Sequence, residues 1–416
     1  MSSPEQELLD LGKRYWLPVY KPRELVLDHG RGSRVWDTQG RDYIDFGAGI
    51  AVNSLGHQDP DLLAALATQA HKLWHASNVF YTEPPLRLAE ELVVASGFAE
   101  RVFLCNSGAE ANEAAIKLVR RWAAAQGRPV ERRIIVTFKG SFHGRTLATV
   151  TATAQPKYQA GYEPLPAGFR YLDYNDAAAL ELAFEAGGIA AVMLEPIQGE
   201  GGVVPAAPGF LERVRELCDE HDALLVLDEI QCGMGRTGEL FAHGQVKPDV
   251  VTLAKALGCG FPIGAMLAGP KVADTMQYGS HGTTFGGNPM AAAVARVALA
   301  KLASPAILAN VERQANDLRA GLARINQQLA LFDEVRGRGL MIGAVLVDTY
   351  KGRAGDILDH AAARGLLLLQ AGADVLRFVP PLSITDEELA EGLSRLHHAL
   401  NDFVAGGKPA TDRSGP

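Results

Sequence analysis

Lys255 ends an apolar run, Asp249-Val-Val-Thr-Leu-Ala-Lys255, and opens a glycine-rich stretch, Ala256-Leu-Gly-Cys-Gly-Phe-Pro-Ile-Gly264. A lysine in that position is nearly buried, and burial disfavours its ammonium form. The neutral amine that results is a nucleophile able to hold an aldehyde covalently. The alternative is a lysine whose stem covers a strand end while its charge reaches water. A second run, Leu224-Leu-Val-Leu-Asp228-Glu-Ile-Gln231, ends in acid. It lies upstream of Lys255 by the length that one crossover between neighbouring parallel strands needs.

A carboxylate and an imine-forming lysine at one sheet edge suit pyridoxal 5'-phosphate, whose ring nitrogen must keep its proton for the ring to draw electrons. Asp228 supplies the countercharge. The phosphate calls for free N–H groups at a helix start, and Val102-Phe-Leu-Cys-Asn106-Ser-Gly-Ala-Glu110 runs from a short strand directly into a helix. Ser107 and Glu110 have capping-box spacing, and Gly108 lets an anion approach the backbone. Ala111, Ala115, Leu118 and Trp122 follow at helical spacing. Capped helices that bind no phosphate share this pattern, and Glu110 competes for the positive helix end.

The elements that must position these residues form an α/β pattern. Buried strands at 102–105, 133–138, 190–195, 224–228, 250–254 and 263–268 alternate with helices such as 209–221, which implies a mostly parallel sheet covered on both faces. Upstream, 25–36 and 40–46 read as short antiparallel strands joined by glycine turns. After a helix near 289–303 come strands at 340–347, 366–369 and 375–379, with helices at 354–364 and 386–402. The expected division is a large cofactor-binding domain over 56–305 and a smaller α+β domain built from 1–55 and 306–403. A disordered tail is expected over 404–416, where no apolar period exists.

The 416 residues, 47% hydrophobic, can fill two or three domain cores. A net charge of −8 gives no electrostatic case for nucleic acid or an anionic membrane. No apolar stretch reaches the length of a membrane span, and the acidic start is unlike a signal peptide, so a cytoplasmic location is expected. Cys105, Cys218, Cys232 and Cys259 have no framework spacing and read as reduced thiols; no metal site is expected. The pairs Gly30-x-Gly32 and Gly258-x-Gly260 do not complete a dinucleotide fingerprint, which argues against a dehydrogenase.

Six segments in register carry a family resemblance: Asn106-Ser-Gly-Ala-Glu-Ala111, Ser141-Phe-His-Gly-Arg-Thr146, Glu195-Pro-Ile-Gln-Gly-Glu-Gly-Gly202, Asp228-Glu-Ile-Gln231, Lys255 and His281-Gly-Thr-Thr-Phe-Gly-Gly-Asn-Pro289. Together they resemble the class III (ω-type) aminotransferases of fold type I, over about Tyr20 to Leu400. Within that group the chain is most similar to the acetylornithine aminotransferases, with succinylornithine, succinyldiaminopimelate, ornithine and GABA aminotransferases as alternatives.

The resemblance implies that Gly108 and Ala109 give N–H groups to the cofactor phosphate with Ser107 as cap, that Phe142 stacks on the ring, and that Gln231 reaches its phenolic oxygen. Glu195 supports this region or merely terminates a strand. Arg145 anchors a substrate carboxylate, the alternative being a solvated loop arginine. Arg377, in Leu376-Arg-Phe-Val-Pro-Pro381, is the second anchor, and Glu200 covers it when an ω-amine is bound and releases it for a dicarboxylate. Thr283 adds a methyl where acetylornithine enzymes commonly carry serine. Tyr81 either lines the substrate arm or packs in the core.

The resemblance further implies a homodimer with shared active sites, each phosphate site completed by Thr284 of the partner subunit. The expected reaction moves the terminal amine of an acylated ornithine to 2-oxoglutarate, giving glutamate and an N-acyl-glutamate semialdehyde, as in arginine biosynthesis. An aminomutase or decarboxylase of the same fold type would keep Lys255 and Asp228 without needing two arginine anchors. A non-catalytic relative would have lost one of those two residues.

Overall fold

The computed structural model describes residues 4–406. At its centre is a seven-stranded sheet in the spatial order Arg101–Cys105, Gly264–Ala268, Val250–Leu253, Leu224–Asp228, Ile189–Leu194, Ile134–Phe138, Phe169–Leu172. Four of its six pairings are parallel; the two antiparallel ones both belong to Gly264–Ala268. That reversed strand separates Arg101–Cys105 from Val250–Leu253, so these two still run in the same direction. The carboxyl ends of six strands therefore share one edge, where open α/β sheets bind their ligands.

Period-two alternation assigns each residue of a central strand to a face. Leu224 and Val226 pack under the helix Gly108–Ala125, with Ala115, Leu118 and Trp122. Leu225 and Leu227 pack on the opposite face with Val214 and Leu217 of the helix Phe210–Glu220. Both faces are covered, as the uniformly apolar strands require.

Three smaller sheets flank this one. Leu27–Arg31, Arg34–Asp37 and Asp42–Asp45 form the antiparallel unit expected near the N-terminus, joined in parallel by Leu366–Leu367. Phe332–Arg338, Met341–Leu346, Val375–Phe378 and Leu369–Ala371 form the second, and two short strands, Ile197–Gln198 and Val204–Pro205, the third. The strand expected at 366–369 is thus two strands in two different sheets. A uniform leucine run carries no mark of where such a chain changes partners.

The sequence reading left several elements unassigned, among them the helix Pro4–Tyr15, the edge strand Phe169–Leu172, the 25-residue helix Pro305–Leu329 and the strand Phe332–Arg338. Phe332–Arg338 is polar and largely solvated, so its apolar alternation is weak. Residues 404–406 finish the helix Asp386–Val404 and its terminal turn, while the remainder of the expected tail, from 407, lies outside the described residues. No single helix among the described residues is long and apolar enough to cross a membrane. The four cysteines are buried and unbridged.

Candidate active site

Lys255 follows its strand at once and adopts φ +44°, a left-handed conformation that costs a residue with a side chain about 1–2 kcal/mol. The resulting one-turn helix, Lys255–Leu257, turns the chain back over the sheet edge. Its side chain is half-buried, open only to a cavity of about 430 Å³. Burial, then the nearby Arg377 charge, pushes the amine down to about 8, against partial compensation by Glu200, Asp228 and Glu195. The surface-snorkelling alternative is therefore not what the fold adopts. The uptake of an aldehyde cofactor by the apoprotein should accelerate as pH rises towards about 8 and level off above it, because the neutral amine is the nucleophile. Stopped-flow absorbance across pH 6 to 10 checks this (a rough range set by that pKa), and a flat profile would contradict a depressed lysine.

Asp228 ends its strand in register with Thr252, three residues before Lys255, and lines the same cavity. Its Oδ2 accepts from Asn112 Nδ2 at 2.7 Å and lies 2.8 Å from His143 Nδ1, while Oδ1 accepts from the Ile230 N–H at 3.1 Å. Burial works against a charged His143, but the hydrogen bond and charge of Asp228 outweigh it and raise the imidazole above its ordinary value. Asn112 is fixed in turn, donating to the His143 carbonyl and accepting from Thr252 Oγ1 at 2.7 Å.

The sequence reading gave neither Asn112 nor His143 a role. The one signal for Asn112 was an amide set among Ala111, Ala114 and Ala115 on a buried helix face. His143 lay inside a quoted motif with nothing to show that its ring meets Asp228.

Ser107 caps the helix Gly108–Ala125, its hydroxyl accepting from the Glu110 N–H at 3.2 Å. Glu110 does not complete the expected box: its carboxylate accepts from the Asn106 N–H at 2.8 Å, one residue earlier. Gly108 and Ala109 occupy the first helical positions, whose N–H groups have no intrahelical acceptor, and both line the cavity. A Cβ on Gly108 would come within 2.7 Å of Ile230, so packing as well as anion access explains the glycine.

Glu195 follows the strand Ile189–Leu194 and accepts from the N–H groups of Phe142 at 2.9 Å and Gly199 at 3.2 Å. Burial pushes it up to about 7, with His143 opposing and Asp228 reinforcing the shift. It ties the Phe142 segment to the Gly199–Glu200 turn. Phe142 and Arg145 both line the cavity, Arg145 at its exposed mouth.

Arg377 reaches the cavity through two residues that line it: its Nη1 donates to Glu200 at 2.7 Å and to Gln231 Oε1 at 3.2 Å. The Arg377 side chain is 3% exposed and that of Glu200 24%, so the carboxylate is the partner with room to move. The Nε of Arg377 is buried with no partner among the described residues.

Tyr81, Thr283 and Thr284 are not brought to Lys255. They line a separate cavity of about 360 Å³. Tyr81 is 88% exposed, which removes core packing as its role in this chain. The Thr283 hydroxyl accepts from Asn106 Nδ2 at 3.1 Å, and Asn78 holds the loop by donating to the carbonyls of Thr283 and Gly286. Thr284 is exposed.

One cavity thus combines a depressed lysine, a carboxylate paired with a protonatable imidazole, a helix start with free N–H groups and the Arg145 guanidinium, with Arg377 behind Glu200 and Gln231 in its wall. The description "Aminotransferase class-III" fits residues 18–400. The chain belongs to the class III aminotransferases. It is 71% identical to the acetylornithine aminotransferase of Xanthomonas campestris pv. campestris, over 97% of this chain and 100% of that one. A Pseudomonas aeruginosa protein described as a succinylornithine transaminase/acetylornithine aminotransferase is 52% identical over 94% and 97% of the two chains. The crystal structure of N-acetylornithine aminotransferase from Stenotrophomonas maltophilia superposes with a TM-score of 0.85 at 64% identity, covering 96% of this chain and 100% of that one. The fold is accordingly the fold-type I α/β architecture, and enzymes of this family work with pyridoxal phosphate.

The residues present fit that cofactor. Lys255 offers the amine, Asp228 the charge for a ring nitrogen, and Gly108 and Ala109 the N–H groups for a phosphate.

Proposed function

We propose that this aminotransferase moves the terminal amine of N2-acetylornithine to 2-oxoglutarate, as a cytoplasmic homodimer using pyridoxal phosphate. The observation that carries the reading is the Arg377–Glu200 pair at 2.7 Å, whose carboxylate lines the same cavity as Lys255 and Arg145. One pocket has to take an uncharged or cationic arm in one half-reaction and a second carboxylate in the other. A covered arginine meets both needs, because swinging Glu200 aside changes the local charge without rebuilding the wall.

Bound pyridoxal phosphate supplies the electron-withdrawing ring that makes the proton beside the substrate nitrogen acidic. Lys255 would hold the cofactor through its amine, and the same amine would move a proton at the substrate carbon. Asp228, kept in place by Asn112 and His143, would supply the negative charge that a protonated ring nitrogen needs. Ser107, Gly108 and Ala109 would hold the phosphate, Phe142 would exclude water from the ring, and Gln231 would orient it through its phenolic oxygen. Glu195 positions the Phe142 and Glu200 segments. Arg145 binds the carboxylate far from the reacting amine.

Thr284 of the partner subunit completes the phosphate site in this reading, and Tyr81 and Thr283 border the substrate arm across the interface. The support is that all three line a cavity separate from that of their own Lys255, near exposed Val79, Phe80 and Phe285, apolar side chains of the kind association buries.

The test is a panel of N-acetylornithine, N-succinylornithine, ornithine and 4-aminobutyrate with 2-oxoglutarate. The highest kcat/KM is expected for N-acetylornithine, and a preference for unacylated ornithine would overturn the assignment. Glu200→Gln should shift the ratio of kcat/KM for N-acetylornithine over glutamate by roughly tenfold against the acylornithine. Exchanging a charge-assisted hydrogen bond for a neutral one loses about 1.4 kcal/mol, the equivalent of that factor, and leaves the Arg377 charge uncompensated. Single-turnover measurement of each half-reaction decides it, and equal losses in both would contradict a switch.

A further inference from the structure

Arg145 and Arg377 are held in opposite ways. Arg377 is paired with a carboxylate and an amide. Arg145, among the described residues, has no salt bridge and no side-chain hydrogen bond; what holds it is aromatic. Its Cζ lies 3.9 Å from the centre of the Tyr158 ring and 5.3 Å from that of Phe142. The two rings stand 6.1 Å apart at 88°, edge to face, and form a corner around the guanidinium.

Tyr158 sits on the single helical turn Pro156–Gln159, which is tied back to the segment that carries Phe142 and Arg145. Gln155 Nε2 donates to the Ser141 carbonyl at 2.8 Å, and Gln159 Nε2 donates to the carbonyls of Thr153 at 2.9 Å and Thr151 at 3.1 Å. The ring is thus a fixed platform. Lys157 Nζ, 4.7 Å from the same ring centre, adds a second positive charge nearby.

We propose that Tyr158 is a positioning residue for Arg145, stacking on the guanidinium plane so that its N–H edge stays free for the substrate carboxylate. An acidic partner would hold the arginine as well, but it would occupy that edge and cancel the charge. A π face takes the plane and leaves the five donors. This inference rests on the reading of Arg145 as the carboxylate anchor.

The test uses holoenzyme carrying Tyr158→Leu, Tyr158→Phe or Arg145→Ala, with cofactor content checked by absorbance. Leucine keeps the bulk and loses the π face. Tyr158→Leu should raise KM for N-acetylornithine about 3- to 10-fold, the range a cation–π contact supports, with kcat within about twofold. Tyr158→Phe should restore KM. Single-turnover bleaching of the holoenzyme by n-butylamine, an amine with no carboxylate, should be the same in the leucine variant and the parent.

An unchanged KM in Tyr158→Leu, alongside a raised KM in Arg145→Ala, overturns the role of Tyr158 alone. An unchanged KM in Arg145→Ala overturns the anchor and this inference with it. A slower butylamine reaction in Tyr158→Leu would show that the ring acts through Phe142 and the cofactor pocket, and would also overturn the proposal.

Discussion

Lys255→Ala is expected to lower transamination by about four orders of magnitude while leaving the fold intact. The loss is large because one amine both holds the cofactor and carries the proton, and among the described residues no second lysine lines the cavity. The fold should survive, since among the described residues none hydrogen-bonds the Lys255 amine and alanine removes a side chain that burial already makes costly in its charged form. Mass spectrometry of borohydride-reduced holoenzyme should find the phosphopyridoxyl group on Lys255, and a label on any other lysine would sink the assignment. The same variant tests the shared site. Mixed with Thr284→Asp, which should repel the phosphate, it gives hybrid dimers in which one site collects both lesions and the other none. Activity should reappear in the mixture. A well-mixed preparation that stays inactive would mean that Thr284 serves its own chain.

Asp228→Asn should slow the half-reaction with glutamate by about 10²–10³-fold, the usual consequence of removing one preorganised electrostatic partner of the reacting group. Shape and burial are kept, so the cofactor should still bind. What goes is the negative charge that also raises the His143 pKa, and with it the reason for the ring nitrogen to hold its proton. Near-normal single-turnover rates at saturating cofactor would place the countercharge elsewhere. His143→Ala should cost less, because Asn112 and the Ile230 N–H still hold Asp228.

Local chemistry in this chain is legible one residue at a time. An amine that must lose its charge, an acid at a strand end, a capped helix start and the alternation of Leu224 to Leu227 each depend on neighbours in sequence, and the sequence by itself determined the α/β sheet and its reactive edge. Contacts between distant segments have no such local signature. Asn112 looked like one polar residue on an alanine-rich helix until the sheet brought Asp228 and Thr252 beneath it. Nothing in the sequence pointed to Tyr158, whose one-turn helix brings its ring to Arg145. The two strands hidden in 366–371 are both apolar, and only the competition of two sheets for their backbone hydrogen bonds separates them. Tyr81, Thr283 and Thr284 line a cavity separate from the one Lys255 opens to, and the loop that carries the two threonines is held there by Asn78 and Asn106, contacts between distant segments that no local pattern announces. Which residues are catalytic types was written in their chemistry; which of them meet was decided by long-range packing, where burial and hydrogen-bond pairing are satisfied jointly by segments far apart in the chain.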